Sequence, residues 1–159
     1  MKILIVYFSK FGNTYKLTET IAEAMASNGV VSTIDFNQLS VNNLSDIDLV
    51  VMGCPTHNMN LPKAVKPVFD RLPKSTLSGT PAAAFDTSYK MSWWLNHFTA
   101  SKRLAKKLHK LGGKLVVPAE IFHVTEREGP LYEGELKRAQ EWATFLHEKA
   151  TNQLEHLAV

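Results

Sequence analysis

The chain begins with Met1–Thr14, MKILIVYFSKFGNT, and this stretch decides how the rest of the sequence is interpreted. The apolar run Ile3–Val6 predicts a buried strand, and the amphipathic pattern that follows Thr14 predicts a helix. A strand that passes through a short polar loop into a helix favours anion binding, because the backbone N–H groups of the loop and the positive end of the helix dipole converge there. The loop from Ser9 to Thr14 is therefore a candidate phosphate site.

The chemistry of this loop leaves two interpretations open. Ser9, Asn13 and Thr14 carry short donors that can reach phosphate oxygens, and Gly12 permits a close backbone approach or a positive φ. The same residue types also form ordinary helix N-caps, so a plain strand-to-helix turn is the alternative. The loop has neither the GK[ST] ending of NTPase phosphate loops nor a GxGxxG signature, which disfavours ATP and a Rossmann-bound dinucleotide.

Composition limits the class of protein. With 159 residues, 45% of them hydrophobic and 21% charged, the sequence predicts one globular domain over 1–159. We find no signal peptide and no membrane span, and the single cysteine, Cys54, excludes an internal disulfide and a Cys-ligated iron–sulfur cluster. We therefore expect a cytoplasmic protein that does not insert into membranes. The net charge of +3 is too small to predict nucleic-acid binding.

Apolar patterning predicts five strands that alternate with helices, and this alternation indicates a parallel sheet covered on both faces. The continuous apolar run Asp48–Cys54 is typical of a central strand. The other strands are predicted at the N-terminus, at Val30–Phe36, at Pro81–Phe85, and at Leu115–Val117 with Glu120–Val124, interrupted at Pro118. Helices are predicted at Tyr15–Asn28, around Val65–Leu72, at Phe98–Leu111 with Phe98 facing inward, and at Glu135–Ala150 with Leu136 facing inward.

Three loops are expected to meet at one edge of this sheet, because ligands of such folds bind at the carboxyl ends of the strands where the strand order reverses. They are Ser9–Thr14, Pro55–Leu61 and Asp86–Trp94. The first offers an anion site, the second offers backbone polar groups and His57, and the third is rich in aromatic residues. A ligand with one phosphate and a planar ring would fit this combination.

These loops resemble those of the flavodoxin family, and the resemblance covers essentially the whole chain. Ser9–Thr14 looks like the FMN-phosphate loop of the family, and Gly53–Asn58 looks like the loop that borders the isoalloxazine ring. Asp86–Trp94 matches the loop after the fourth strand by position and aromatic content only. The absence of a long insertion in the last strand makes the chain similar to short-chain flavodoxins. The resemblance implies an α/β flavodoxin-like three-layer fold with strand order 2-1-3-4-5, for which flavodoxin itself is a standard example.

The resemblance also implies FMN as the cofactor. The implied site comprises Ser9, Lys10, Phe11, Gly12, Asn13, Thr14, Pro55, Thr56, His57, Asn58, Met59, Asn60, Asp86, Thr87, Ser88, Tyr89 and Trp93. The peptide between Asn58 and Met59 is a candidate partner for the N5 edge of the ring, whereas Met59 itself could simply fill a gap. One of Tyr89, Trp93 and Trp94 is expected to cover the ring, or these aromatic residues pack their loop on the core.

Other reactive residues have structural explanations that the sequence favours. Cys54 is predicted to be an inert core thiol, because no base is placed beside it. Asp86 is predicted to cap a turn more readily than to contact the ring. The six histidines show no ligand spacing, so no metal site is expected.

The resemblance implies an electron carrier that shuttles between redox partner proteins. The alternatives are an FMN-dependent NAD(P)H or quinone oxidoreductase on the same fold, and a flavin-free interaction module. An apolar ring pocket is expected to lower the potential of the second electron, because it opposes charge on the reduced ring. This chain is basic whereas flavodoxins are usually acidic, so the partner is a candidate acidic protein that docks near the flavin edge or on the helix at 102–110. The basic residues there, which otherwise form a solvated face, are Lys102, Arg103, Lys106, Lys107 and Lys110.

Overall fold

A computed structural model describes residues 1–158 and shows a parallel sheet with helices on both faces. Its elements are β1 (Lys2–Tyr7), α1 (Asn13–Ala26), β2 (Val30–Asp35), β3 (Leu49–Pro55), α2 (Lys66–Asp70), β4 (Pro81–Ser88), α3 (Ala100–Lys110), β5 (Lys114–Leu115), β6 (Glu120–His123) and α4 (Glu135–Leu157). The strand order is β2-β1-β3-β4-β5, and β6 also pairs with β4. The predicted order 2-1-3-4-5 is confirmed, with β5 and β6 as the two halves of the interrupted last strand.

Both faces of the sheet are buried, which explains the continuous apolar runs in the central strands. In β1, Ile3 and Ile5 pack in the layer that contains α1 and α4. Leu4 and Val6 point the other way and pack in the layer that contains α2 and α3. Every residue of β4 is buried, so this strand forms the centre of the molecule together with β3.

Strand β4 is longer than the sequence predicts. Asp86, Thr87 and Ser88 were expected in a loop, but they continue the strand because β3 pairs with it on one side and β6 on the other. This continuation carries the strand directly into the edge where the predicted loops meet.

Two helices also differ from the prediction. Helix α3 begins at Ala100, because Thr99 is extended and a short 3-10 turn precedes it, and Phe98 is exposed instead of facing inward. In α4, Leu136 is exposed, and Trp142 packs against Phe85 and Phe122 in the core. Within residues 1–158, none of the helices has the length and apolar character that spanning a bilayer requires.

Candidate functional site

A cavity of about 560 Å³ lies at the carboxyl-terminal edge of the sheet, where β1, β3 and β4 end. Its size is within the range of small-molecule sites. It lies where the strand order reverses, since the chain crosses from β1 over one face and from β3 over the other. Its lining comprises Ser9, Lys10, Phe11, Asn13, Thr14, Pro55, Thr56, His57, Asn58, Met59, Thr87, Ser88, Tyr89, Met91, Val124 and Arg127.

The first loop is folded by its own serine. Ser9 Oγ accepts hydrogen bonds from the backbone N–H groups of Gly12, at 3.1 Å, and Tyr15, at 3.2 Å. Gly12 has φ +92°, a left-handed conformation that a glycine adopts without steric cost, and it directly precedes α1. This turn aims the start of α1 at the cavity.

The same loop leaves several donors unused. Within residues 1–158, the backbone N–H groups of Lys10, Phe11, Asn13 and Thr14 have no hydrogen-bond acceptor. Two of them belong to the first turn of α1, where the helix dipole also favours negative charge. The free donors and the positive end of the helix dipole therefore fit a phosphate group.

Hydrogen bonds fix the first loop to the strands beside it. The Oγ1 atoms of Thr14 and Thr87 lie 3.2 Å apart, and both side chains are buried. The Thr87 carbonyl accepts the N–H of Thr56 at 2.9 Å, so the ends of β3 and β4 stay in register beyond the last strand residue. The three strand ends consequently form one connected edge.

The second loop is a tight hairpin. His57 and Asn60 exchange two backbone hydrogen bonds of 2.9 Å, and the residues between them, Asn58 and Met59, have φ of +47° and +57°. Two consecutive positive φ values are typical of a type I′ turn, a conformation in which a methionine is strained. Asn60 Oδ1 accepts the N–H of Leu61 at 2.8 Å, so this side chain stabilises the hairpin.

His57 is the titratable side chain of this hairpin. Burial lowers its pKa, and the nearby cations Lys10 and Arg127 lower it further. Both effects favour the neutral form of the imidazole. It packs edge-on against Phe8 with the ring centroids 6.4 Å apart.

The third loop contributes fewer side chains than predicted. Tyr89 and Met91 line the cavity, but Trp93 is 77% exposed and lies outside the lining, edge-on to His97.

Asp86 is fully buried away from the cavity, where its Oδ2 accepts the N–H of Ser101 at 2.7 Å. Burial raises the pKa of this carboxyl. Asp86 thus has a structural role, but it holds the first turn of α3 and not the turn after its own strand that the sequence predicts.

The 17 predicted site residues divide into two groups in the structure. Thirteen line the cavity, whereas Gly12, Asn60, Asp86 and Trp93 do not. Gly12 and Asn60 still shape the first two loops through their backbone conformation and hydrogen bonds.

Sequence reasoning missed Met91 and a fourth loop, which contributes Val124 and Arg127. Val124 donates its N–H to the Ser88 carbonyl at 3.0 Å, and Asn13 Nδ2 donates to the Glu128 carbonyl at 3.0 Å. These bonds bring the loop after β6 against the phosphate loop. The rule that selected the first three loops also applies to this one, since β6 ends at the same edge.

The cavity has a positive electrostatic character. Lys10 and Arg127 are the charged residues of its lining, and no carboxylate lines it among residues 1–158. Neither cation takes part in an ion pair within this part of the chain. The charge of the site therefore matches a phosphorylated ligand.

Comparison with known proteins agrees with this geometry. A family model described as a flavodoxin domain matches residues 4–123. The flavodoxin of Synechocystis sp. is 29% identical over 116 residues, which cover 72% of this chain and 68% of that protein. The flavodoxin of Clostridium saccharobutylicum is 30% identical over 90 residues, covering 55% of this chain and 56% of the relative.

Solved structures show the same fold. Oxidised flavodoxin 2 from Bacillus cereus superposes with a TM-score of 0.78 at 22% identity, covering 94% of this chain and 99% of that one. The rubredoxin oxygen:oxidoreductase of Desulfovibrio gigas has a TM-score of 0.76 at 19% identity, covering 96% of this chain but 37% of that chain. With the family match over more than half of its length, the chain belongs to the flavodoxin family of FMN-binding electron-transfer proteins.

Proposed function

We propose that the cavity holds FMN with its phosphate in the Ser9–Thr14 loop and its ring between the second and third loops. The observation that carries this orientation is the set of unpaired backbone N–H groups in the first loop, among them those of Lys10, Phe11, Asn13 and Thr14. A dianionic phosphate would accept from them, and the free cations Lys10 and Arg127 lie at the same cavity.

The ring would lie beside the second and third loops. Met59 and Tyr89 line the cavity on these two loops, and Tyr89 offers a flat surface for stacking. The peptide between Asn58 and Met59 is held at the tip of the hairpin, where it can serve as a hydrogen-bond partner for the ring edge. When bound, FMN supplies one- and two-electron transfer, and the protein positions it and excludes water from part of its surface.

We further propose that the protein works in the cytoplasm as a carrier between redox partner proteins, and that the physiological partner is acidic. The buried free thiol of Cys54 is consistent with a reducing compartment. The excess of positive charge on and before α3 supports an acidic partner.

An anaerobic reductive titration tests the cofactor and the carrier role together. We expect the protein to bind one equivalent of FMN and to accept two electrons from dithionite. Slow reduction by NADH or NADPH without a helper reductase would agree with a carrier, whereas rapid reduction would favour an oxidoreductase instead.

A comparison of ligands tests the proposed orientation. We expect FMN to bind at least about tenfold more tightly than riboflavin, because only FMN carries the phosphate that the first loop would hold. Equal affinities for FMN and riboflavin would contradict the phosphate assignment.

A further inference from the structure

Positive charge is concentrated in one segment of the chain. The 33 residues from Thr87 to Ala119 contain seven of the 18 lysines and arginines and none of the 15 aspartates and glutamates. The rest of the chain therefore has eleven cations and fifteen acids, a net negative balance. The cations of the segment are Lys90, Lys102, Arg103, Lys106, Lys107, Lys110 and Lys114.

Five of these seven cations lie on α3, and α3 starts beside the cavity. The N–H of Ala100 donates to Thr56 Oγ1 at 2.9 Å, which fixes the start of the helix to the loop after β3. Arg103 lies in the first turn, and the exposed Lys106 and Lys110 follow toward the far end. The positive face is thus continuous with the rim of the cavity.

Arg103 differs from the lysines because the protein orients it. Its Nε donates to the carbonyl of Met59 at 3.2 Å and to the carbonyl of Phe98 at 3.3 Å. The guanidinium therefore connects the hairpin that lines the cavity with the turn that precedes α3. Within residues 1–158 its two terminal NH₂ groups have no acceptor, so they remain available for a carboxylate.

Three exposed aromatic residues lie on the segment Trp93–Phe98, which Arg103 holds through the Phe98 carbonyl. Trp93 is 77% exposed, Trp94 53% and Phe98 49%. Large aromatic residues and arginine are enriched in the centres of protein interfaces, and the truncation of such residues often causes the largest losses of affinity. Exposed aromatic groups beside a positive helix face are suited to a partner whose docking surface is acidic around an apolar centre.

We propose that Arg103 is the anchor of a docking surface for an acidic electron-transfer protein, formed by the aromatic turn Trp93–Phe98 and the positive face of α3. This inference rests on the proposed carrier function. The terminal nitrogens of Arg103 would bind a carboxylate of the partner, while Nε keeps its contact with Met59. With FMN bound, one electron would pass from the reduced flavin to an oxidised one-electron acceptor group of the partner, and no chemical group would be transferred.

The charge preference can be tested with one acceptor in two charge forms. Native cytochrome c is basic, and succinylation converts its lysines into carboxylates while the haem is kept. We expect the reduced holoprotein to reduce the succinylated form at least about tenfold faster at low ionic strength, with a much smaller difference at about 0.5 M salt. Equal rates, or faster reduction of native cytochrome c, would overturn the proposal.

The anchor role can be tested with charge-matched variants. Arg103→Gln, Lys106→Gln and Lys137→Gln each remove one positive charge, and Lys137 lies on α4 in the opposite layer. We expect Arg103→Gln to slow reduction of the acidic acceptor about tenfold, Lys106→Gln about twofold, and Lys137→Gln very little. Equal effects of Arg103→Gln and Lys106→Gln would show that Arg103 supplies charge alone, and the anchor would be rejected.

Two further measurements separate this proposal from others. Wild-type protein that takes up no FMN would contradict the proposed function, whereas normal FMN uptake and dithionite reduction without charge preference would contradict only the docking surface. Co-sedimentation with vesicles of anionic phosphatidylglycerol would identify the same face as a membrane surface, which would also overturn the proposal.

Arg103→Lys is expected to reduce the acidic acceptor faster than Arg103→Gln but more slowly than wild type, because lysine keeps the charge but loses the planar fork.

Discussion

Glu135 Oε2 accepts the backbone N–H of His123 at 2.6 Å, which joins the first turn of α4 to the end of β6. Arg138 strengthens this junction by donating to both oxygens of Glu135, at 2.8 and 3.0 Å, and to Glu120 Oε1 at 2.8 Å. Burial alone would raise the pKa of the Glu135 carboxyl, but the hydrogen bonds from Arg138 and His123 outweigh it. The net pKa is below its usual value.

This junction predicts a pH-dependent loss of stability. Because the folded state holds Glu135 ionised, its contribution is present above the unfolded pKa of about 4.3 and is lost as the pH falls through the lower folded pKa. At neutral pH we expect Glu135→Gln to lower the free energy of unfolding by about 1.5–3 kcal/mol. Urea denaturation should show this difference shrinking below about pH 4.3. The exposed Glu133→Gln should show little difference from wild type at any pH, and a constant deficit for Glu135→Gln would contradict the assignment.

Alanine variants of two glycines distinguish the effect of backbone strain on stability from an effect on cofactor binding. Gly12 and Gly79 have φ of +92° and +78°, and an added Cβ would meet no atom within 4 Å at either position. Each alanine variant should therefore lose about 1 kcal/mol of stability from backbone strain alone. Only Gly12→Ala should also weaken FMN binding, because Gly79 precedes β4 at the opposite edge of the sheet. Fluorescence titration with FMN would measure this, and equal binding by both variants would contradict the role of Gly12 in shaping the phosphate loop.

The hydrogen bond between the hydroxyls of Thr14 and Thr87 joins the start of α1 to β4, and its contribution to stability can be measured. Thr87→Val keeps the shape of the side chain but leaves the buried Thr14 hydroxyl without this partner, so we expect a loss of about 1–2 kcal/mol in urea unfolding. Thr144→Val removes an exposed hydroxyl that bonds within α4 and should change stability by less than about 0.5 kcal/mol. If both variants lost the same amount, the Thr14–Thr87 contact would contribute nothing of its own.

Arg127 is expected to act on the cofactor through its charge. Arg127→Gln should weaken FMN binding up to about fivefold at low salt, because an exposed ion pair contributes up to about 1 kcal/mol, and it should leave riboflavin binding unchanged. Isothermal titration would measure the affinities for FMN and for riboflavin. Arg71→Gln, an equal charge change at the end of α2, should alter neither.

The sequence predicts the fold well because strand burial leaves a strong local signal. The apolar runs of β1 and β3 are continuous, since each strand is covered on both faces, and Pro118 marks the break in the last strand. The helix errors lie at helix starts, because Phe98 precedes the first residue of α3 and Leu136 is the second residue of α4. Phe98 and Leu136 have the right spacing to face the core, but an extended Thr99 and a left-handed Gly134 change the course of the chain just beside them.

The site is only partly predictable for a physical reason. Thr56, His57 and Thr87 follow directly from the rule that strand ends carry the ligand. The role of Arg127 depends on hydrogen bonds such as that between Asn13 and Glu128, which join residues 115 positions apart. The exposure of Trp93 depends likewise on how its loop folds, and composition alone carries no information about that.

The split of the last strand has a consequence for behaviour at high concentration. Strands β5 and β6 have only two and four residues, and Pro118 between them lacks an N–H group. This border of the sheet therefore offers too short a row of free backbone groups for a strand of another molecule to pair with it. We expect the protein to resist edge-to-edge aggregation on this side, even in concentrated solution.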